Sequence, residues 1–272
     1  MARIGLVGYG SMAEMIALRL LRDQQITEHD LFIDTRTRGE RLQTLLSEYP
    51  SVHVDSLEEW AETCSLIFIC VPPLYMLETK QRLDSFINEK THIVSIAAGV
   101  PLQALEKGSN TAVSRYIPAL TSEVKAGVSL IVHGGTVSSA QKNHLNERLS
   151  AFGTVREIEE DNLDAASNLT SSAPGLIAAL FEEFALSAVK NSHLSKEAAF
   201  EFLVHSLYGT GKLLLEKQIT FQETLTRVAT KGGITGEGAD VIRSAAPAMF
   251  DEVFEKTLEK YRNLSENVKS RM

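Results

Sequence analysis

Residues 3–7 form an apolar run that leads into Gly8-Tyr9-Gly10-Ser11-Met12-Ala13, a G-x-G-x-x-A whose small residues have separate jobs. Gly8 permits a tight turn, Gly10 lets a pyrophosphate approach the backbone, and Ala13 lets the next helix pack close to the strand. The N-terminus of that helix, with Ser11 and Met12, then faces the anion. In strand–turn–helix context this reads as a dinucleotide site, the alternative being a purely structural glycine turn. A second strand ends in Phe32-Ile33-Asp34-Thr35-Arg36-Thr37-Arg38, which puts Asp34 24 residues past Gly10. An acid there suits the ribose diol of NAD. Arg36 and Arg38, with Thr35 and Thr37, suit the 2′-phosphate of NADP instead. Both signals are present, and the two arginines tip the reading toward NADP. Val71, Pro72 and Pro73 leave a further strand at its carboxyl end, where they hold a rigid loop beside a ribose or serve only as a strand exit.

A second candidate lies far downstream. Lys231-Gly232-Gly233-Ile234-Thr235-Gly236-Glu237-Gly238 carries four glycines in eight residues inside a helix-patterned region. Successive N–H groups in such a turn make an anion-binding nest, reinforced by the dipole of a following helix. A hinge between two helices is the other reading. The seven histidines, His29, His53, His92, His133, His144, His193 and His205, are scattered without the spacing of a metal set or a triad, and they read as surface or packing residues.

The elements that must position these residues change character along the chain. Strands are expected at 3–7, 31–34, 51–54, 66–71, 92–96, 112–115, 128–132 and 154–157. Between them lie helix-start signals. Thr37-Arg38-Gly39-Glu40, Ser56-Leu57-Glu58-Glu59 and Ser138-Ser139-Ala140-Gln141 fit the capping box, as does Thr220-Phe221-Gln222-Glu223 later on. Alternating strands and helices predict a mostly parallel sheet covered on both faces. After residue 158 the spacing is helical: 162–192, a helix capped by Ser195, and a last helix over 247–264 with Pro247 in its first turn. The expected plan is α/β, with a Rossmann-type doubly wound domain over 1–158 and an all-helical domain over 159–272.

The 272 residues are 44% apolar and 23% charged, with a formal charge of −8, so a broad nucleic-acid surface is not expected. Cys64 and Cys70 make neither a disulfide framework nor a metal-ligand set, which suggests a reducing cytoplasm and no metal. No run approaches the roughly 18 consecutive apolar residues of a membrane span, and the start of the chain does not read as a signal peptide.

The segments IGLVGYGSMAE, ICVPP, VSIAAGVPLQALE, RYIPALTSEVKAGVSL, LTSSAPGLIAAL and VATKGGITGEG resemble the pyrroline-5-carboxylate reductases over essentially the whole chain. GVSLIV and KGGITGEG look closest to a divergent branch that includes a late-competence protein. The resemblance implies reduction of a small cyclic imine by NAD(P)H. It implies that Ala97 joins the cofactor residues and that Gly232, Gly233, Ile234 and Thr235 hold the imine's carboxylate. It also implies that the Thr235 hydroxyl lies near the ring nitrogen, that Ser172 lines the other side, and that the C-terminal helices pair subunits into a homodimer or larger assembly. Departures are visible too. Ala119 and Leu120 stand where the family has asparagine and threonine, Ser171 and Ala173 replace glycines, Ile234 replaces a threonine, and Pro72 replaces a lysine. These motivate an alternative, a dinucleotide-binding regulatory protein with weak or no turnover. A β-hydroxyacid dehydrogenase would need a lysine in the middle of the long helix, four residues before an asparagine, and between 162 and 192 there is only Lys190, directly before Asn191.

Overall fold

The computed structural model describes residues 3–270. All eight expected strands form: β1 Ile4–Val7, β2 Leu31–Asp34, β3 His53–Val54, β4 Leu66–Ile69, β5 His92–Ser95, β6 Ala112–Ile117, β7 Gly127–His133 and β8 Gly153–Glu157. They make one sheet in the order β3-β2-β1-β4-β5-β6-β7-β8, parallel except where β7 runs antiparallel to β6. The helices of this part are α1 Ser11–Arg22, α2 Glu40–Glu48, α3 Leu57–Trp60, α4 Pro73–Asp84, α5 Leu102–Glu106, α6 Ser139–Leu149 and α7 Leu163–Leu169.

Alternation along each strand divides the core into two layers. Ile4, Leu6, Leu31, Ile33, Leu66 and Phe68 join one apolar cluster with α1 and α2. Val7, Phe32, Ile67 and Ile69 join the other, with Trp60 and Leu83. Because both faces are covered there, β1, β2 and β4 read as apolar runs up to their carboxyl ends. Gly5 is the exception, and Trp60 explains it: a Cβ at Gly5 would fall well inside contact distance of the indole ring.

Two compact units form. One holds everything up to Ala173 together with the C-terminal stretch from Thr257, and the other is Pro174–Lys256. The sheet ends at Glu157, near the expected boundary at 158, but the compact unit continues to Ala173. The cause is Glu160, whose carboxylate takes a 2.6 Å bond from buried Arg115 and a 2.8 Å bond from the Leu102 N–H. Leu163 is fully buried in the second apolar layer. The acidic segment expected to lead out of the first domain is bonded to it through Glu160.

The remaining helices are α8 Ala173–Lys190, α9 Lys196–Lys217, α10 Phe221–Val228 and α11 Ile234–Lys269. The single helix expected over 162–192 is broken at Thr170, whose φ and ψ of −126° and −70° leave the helical region. Pro247 does not open the last helix but lies inside α11, which starts at Ile234. Without an N–H it forgoes the bond to the Arg243 carbonyl, a cost the long helix absorbs. Of the four expected capping boxes, those at Ser138 and Thr220 form with both reciprocal bonds. The other two do not. Helix α2 is capped by Gly39, two residues past Thr37, and the Ser56 hydroxyl is drawn to the Glu58 carboxylate.

Within Pro174–Lys256 only Ala185 and Ala199 are buried among the described residues, while Phe184, Phe202 and Tyr208 are 60%, 58% and 68% exposed. The stretch Glu160–Lys190 is also, by length and composition, apolar enough to cross a membrane. A window average detects this where a count of consecutive apolar residues did not. A helical unit with so little core of its own must bury its apolar surface against something else.

Two histidines read as scattered share a buried partner. His92 Nε2 lies 2.7 Å from the Ser114 hydroxyl, which lies 2.7 Å from His133 Nδ1. One hydroxyl proton serves one imidazole while the oxygen accepts from the other. Burial, then repulsion from His133 and His144, pushes His92 down to about 3. The folded state therefore keeps His92 neutral while the unfolded chain protonates it near 6.5, so stability is lost as pH falls through that window. We expect the melting temperature to drop between about pH 6.5 and 5, above the range where carboxylates titrate, with a slope of up to about 1.4 kcal/mol per pH unit. His92→Gln should flatten that slope; an unchanged slope in the variant would show that His92 does not carry it.

Candidate functional site

In the sheet, β1 lies between β2 and β4, so the chain connections diverge at the carboxyl end of β1. Open α/β sheets bind ligands in the crevice at such a point. The turn out of β1 is set by Gly8. Its φ is +91°, its N–H donates to the Asp34 carbonyl at 2.7 Å, and a Cβ there would sit 2.8 Å from the Cys70 carbonyl oxygen. Both the backbone angle and the space exclude a side chain. Gly10 follows as the N-cap of α1 without a side-chain cap, and an added Cβ would meet no protein atom within 4 Å. Its smallness is not demanded by packing; it leaves room for something to lie on the backbone. Ser11 and Met12 open α1, where N–H groups have no acceptor within the helix and the dipole favours an anion. Ala13 is 1% exposed and packs into the core, as its place in the motif requires.

These residues line one cleft of about 600 Å³. Asp34, Thr35 and Arg36 form one end. Val71 and Pro72, at the exit of β4, and Ala97, past β5, form the other walls. Pro73 occupies the first turn of α4, where its missing N–H costs nothing. Cys70 also lines the cleft, but burial pushes its thiol well above the ordinary range, so it is wall rather than nucleophile.

One residue of the sequence reading lies off the cleft wall, and two that line it were not named there. Arg38 does not line the cleft: it donates to the Val54 carbonyl at 3.1 Å and ties the loop to β3. The missed residues are Tyr75 and Arg82 on α4. The Arg36 guanidinium lies 5.1 Å over the Tyr75 ring, a cation–π contact that settles its direction. Arg82 Nη1 lies 3.3 Å from Asp34 Oδ2, which also accepts from the Leu57 N–H at 3.3 Å. A signal existed: Tyr75, Glu78, Thr79 and Arg82 recur at helical spacing, and all four line the cleft. Ala119, one of the departures from the family pattern, is fully buried and lines no part of it.

The second candidate belongs to the helical unit. Gly232 has φ +71°, and Gly233 accepts from Gly236 N–H at 3.1 Å as the chain enters α11. The glycine-rich stretch is therefore loop only as far as Gly233, while Ile234, Thr235, Gly236, Glu237 and Gly238 are helical. Ile234 and Thr235 take the first two helical positions, where N–H groups lack helical acceptors. Ile234 is 94% exposed. Ser172 lies in the first unit, immediately before α8, with its N–H bonded to the Ser167 carbonyl at 2.9 Å. No group of three or more His, Cys, Asp or Glu suited to a metal ion occurs among the described residues.

Comparison with known proteins adds the following. A family profile described as pyrroline-5-carboxylate reductase dimerisation matches residues 160–264, and one described as NADP oxidoreductase coenzyme F420-dependent matches residues 3–99. The chain is 64% identical to pyrroline-5-carboxylate reductase 3 of Bacillus subtilis (strain 168), over 98% of each chain. ComE operon protein 4 of the same organism is 30% identical over 95% of each. The structure of Plasmodium falciparum pyrroline carboxylate reductase with NADP bound matches with a TM-score of 0.85 at 20% identity, covering 97% of this chain and 98% of that one. A Coxiella burnetii pyrroline-5-carboxylate reductase matches at 0.84 and 24%, over 98% of both.

Gly10→Val fills the room above α1 and tests the cleft directly. Dinucleotide affinity should fall by about two orders of magnitude or more, since contacts to several backbone N–H groups are lost together. Stability should change by no more than about 1 kcal/mol, for a poorer helix cap. Titration calorimetry and a melting curve check both; unchanged affinity would move the dinucleotide elsewhere.

Proposed function

The chain belongs to the pyrroline-5-carboxylate reductase family, and from that premise we propose that it reduces 1-pyrroline-5-carboxylate, or a closely similar cyclic imine, to the corresponding amine at the expense of NADPH. The observation that carries this reading is the 64% identity, over nearly the whole chain, to a protein named for the reaction. The alternative, a nucleotide-binding regulator without efficient turnover, rests on the departures at Ala119 and Ile234.

The chemistry asks little acid–base work of the protein. When bound, the dinucleotide supplies the hydride, and a cyclic iminium is already a good acceptor. What remains for the chain is to hold two partners face to face. The turn Gly8–Ala13 holds the pyrophosphate on the N–H groups of α1. Val71, Pro72 and Ala97 shape the cleft walls, and Arg36 takes the ribose end. We assign the substrate carboxylate to the N–H groups of Gly232–Thr235, a helix N-terminus suited to an anion. The Thr235 hydroxyl is assigned to the ring nitrogen, and Ser172 stays a second candidate for contact with the substrate. No histidine is required as an acid, in keeping with His92 and His133 being committed to Ser114.

The helical unit has a second task. Its match to a dimerisation family and its nearly absent core mean that the protein is a homo-oligomer, and we propose a dimer as the smallest unit. The apolar face of α8 then finds cover in a partner subunit rather than in lipid. Two free cysteines suit a cytoplasmic setting.

The test is NADPH oxidation followed by absorbance with millimolar pyrroline-5-carboxylate, with proline identified as product. Robust turnover is expected, and nucleotide binding without turnover would favour the regulator. Thr235→Ala should lower kcat/KM by about 10- to 100-fold, the loss of one hydrogen bond at the reacting centre. Its nucleotide affinity should stay unchanged; undiminished turnover would remove Thr235 from the site.

A further inference from the structure

We propose that Arg82 decides which dinucleotide the cleft accepts: by holding Asp34 it withdraws that acid from the ribose hydroxyls and, with Arg36, presents a second guanidinium to a 2′-phosphate. The inference rests on the reading of the cleft as a dinucleotide site.

An acid at the end of β2 ordinarily marks the diol of NAD, because a carboxylate accepts from both hydroxyls and repels a phosphate in their place. Here one of the two Asp34 oxygens is already engaged within the protein. Its Oδ2 is taken by the Leu57 N–H and by Arg82 Nη1, each at 3.3 Å. Arg82 is itself held in a fixed plane. Its Nε donates to Glu58 Oε1 at 2.7 Å and its Nη2 to Glu58 Oε2 at 2.8 Å, a two-pronged contact of the kind that orients guanidinium groups. Glu58, from α3, thus sets the guanidinium of α4 so that its remaining nitrogen faces β2.

Charge points the same way. The charged side chains on the cleft wall are Asp34, Glu78, Arg36 and Arg82, and Glu58 pairs with Arg82 from α3, so three acids stand against two arginines here. Removing Arg82 would leave Arg36 alone against those acids where a phosphate dianion must lie. Geometry separates the two arginines. Arg36 is stacked on Tyr75, from the same helix as Arg82, and only Arg82 pairs with the acid. Arg82 is 46% exposed while Asp34 is 16% exposed, so the arginine can meet an incoming phosphate without unfolding its surroundings, and the acid stays behind it. Arg82 therefore acts as a specificity-determining residue, partly by contact and partly through Asp34.

The experiment is fluorescence titration of the full-length protein with NADPH and with NADH, for the wild type, Arg82→Gln, and Arg82→Gln combined with Asp34→Asn. The wild type should bind NADPH more tightly. Arg82→Gln should weaken NADPH by about tenfold, the scale of one charge-assisted phosphate contact, while NADH binding holds or tightens as Asp34 becomes free for the diol. Adding Asp34→Asn should restore part of the NADPH affinity and cancel any gain for NADH. An unchanged NADPH-to-NADH ratio in Arg82→Gln overturns the proposal, as does equal weakening of both nucleotides or a second substitution without effect. If Arg82→Gln melts early, Arg82→Lys, which keeps the charge but not the two-pronged hold, should shift the ratio in the same direction by a smaller factor. A wild type that binds neither nucleotide would instead overturn the dinucleotide reading itself.

Discussion

The structure turns on one crowded point, the left-handed Gly8 at the end of β1. Its N–H is bonded to the Asp34 carbonyl, and its α-carbon faces the Cys70 carbonyl with no room for a methyl group. Strands β2 and β4 can flank β1 closely only because nothing projects there. The same turn aims the N-terminus of α1 out of the sheet, into the cleft. Packing and binding are therefore one constraint. A side chain at Gly8 would strain the backbone and push apart two strand ends, and it would also misdirect the N–H groups that receive an anion.

The ribose end of the cleft shows a second kind of control. Here neighbouring charges, rather than the identity of a single residue, set the chemistry. Asp34 alone argues for one nucleotide and Arg36 alone for another. The arrangement becomes consistent once Arg82 and Glu58 are included, because one oxygen of the acid is then a partner within the protein.

Much of this was legible in the sequence, for physical reasons. Strands covered on both faces, such as β1 and β4, appear as short apolar runs, and so were legible from composition alone. The G-x-G-x-x-A motif is local, so Gly8, Gly10 and Ala13 could be given roles from their spacing. Readings that needed a distant partner failed. Arg38 turns to Val54, and Ser56 yields its hydroxyl to Glu58, which Arg82 holds from α4. Glu160 ties what looked like a linker to Arg115. Pro247 misled for a different reason: a proline in a helix-patterned stretch suits a first turn far better than an interior, and a long helix carries the cost. The helical unit was readable as helical, but its scarcity of buried residues is a three-dimensional fact, and it is what requires a second subunit.

Sheet, glycine turn and helical unit together serve imine reduction. The most direct test is the isotopic content of proline formed from pyrroline-5-carboxylate in the presence of NADPH carrying deuterium at both C4 positions. The account predicts one deuterium per proline, at the carbon that had been doubly bonded to nitrogen. Unlabelled proline, or nucleotide binding with no proline formed, would contradict it.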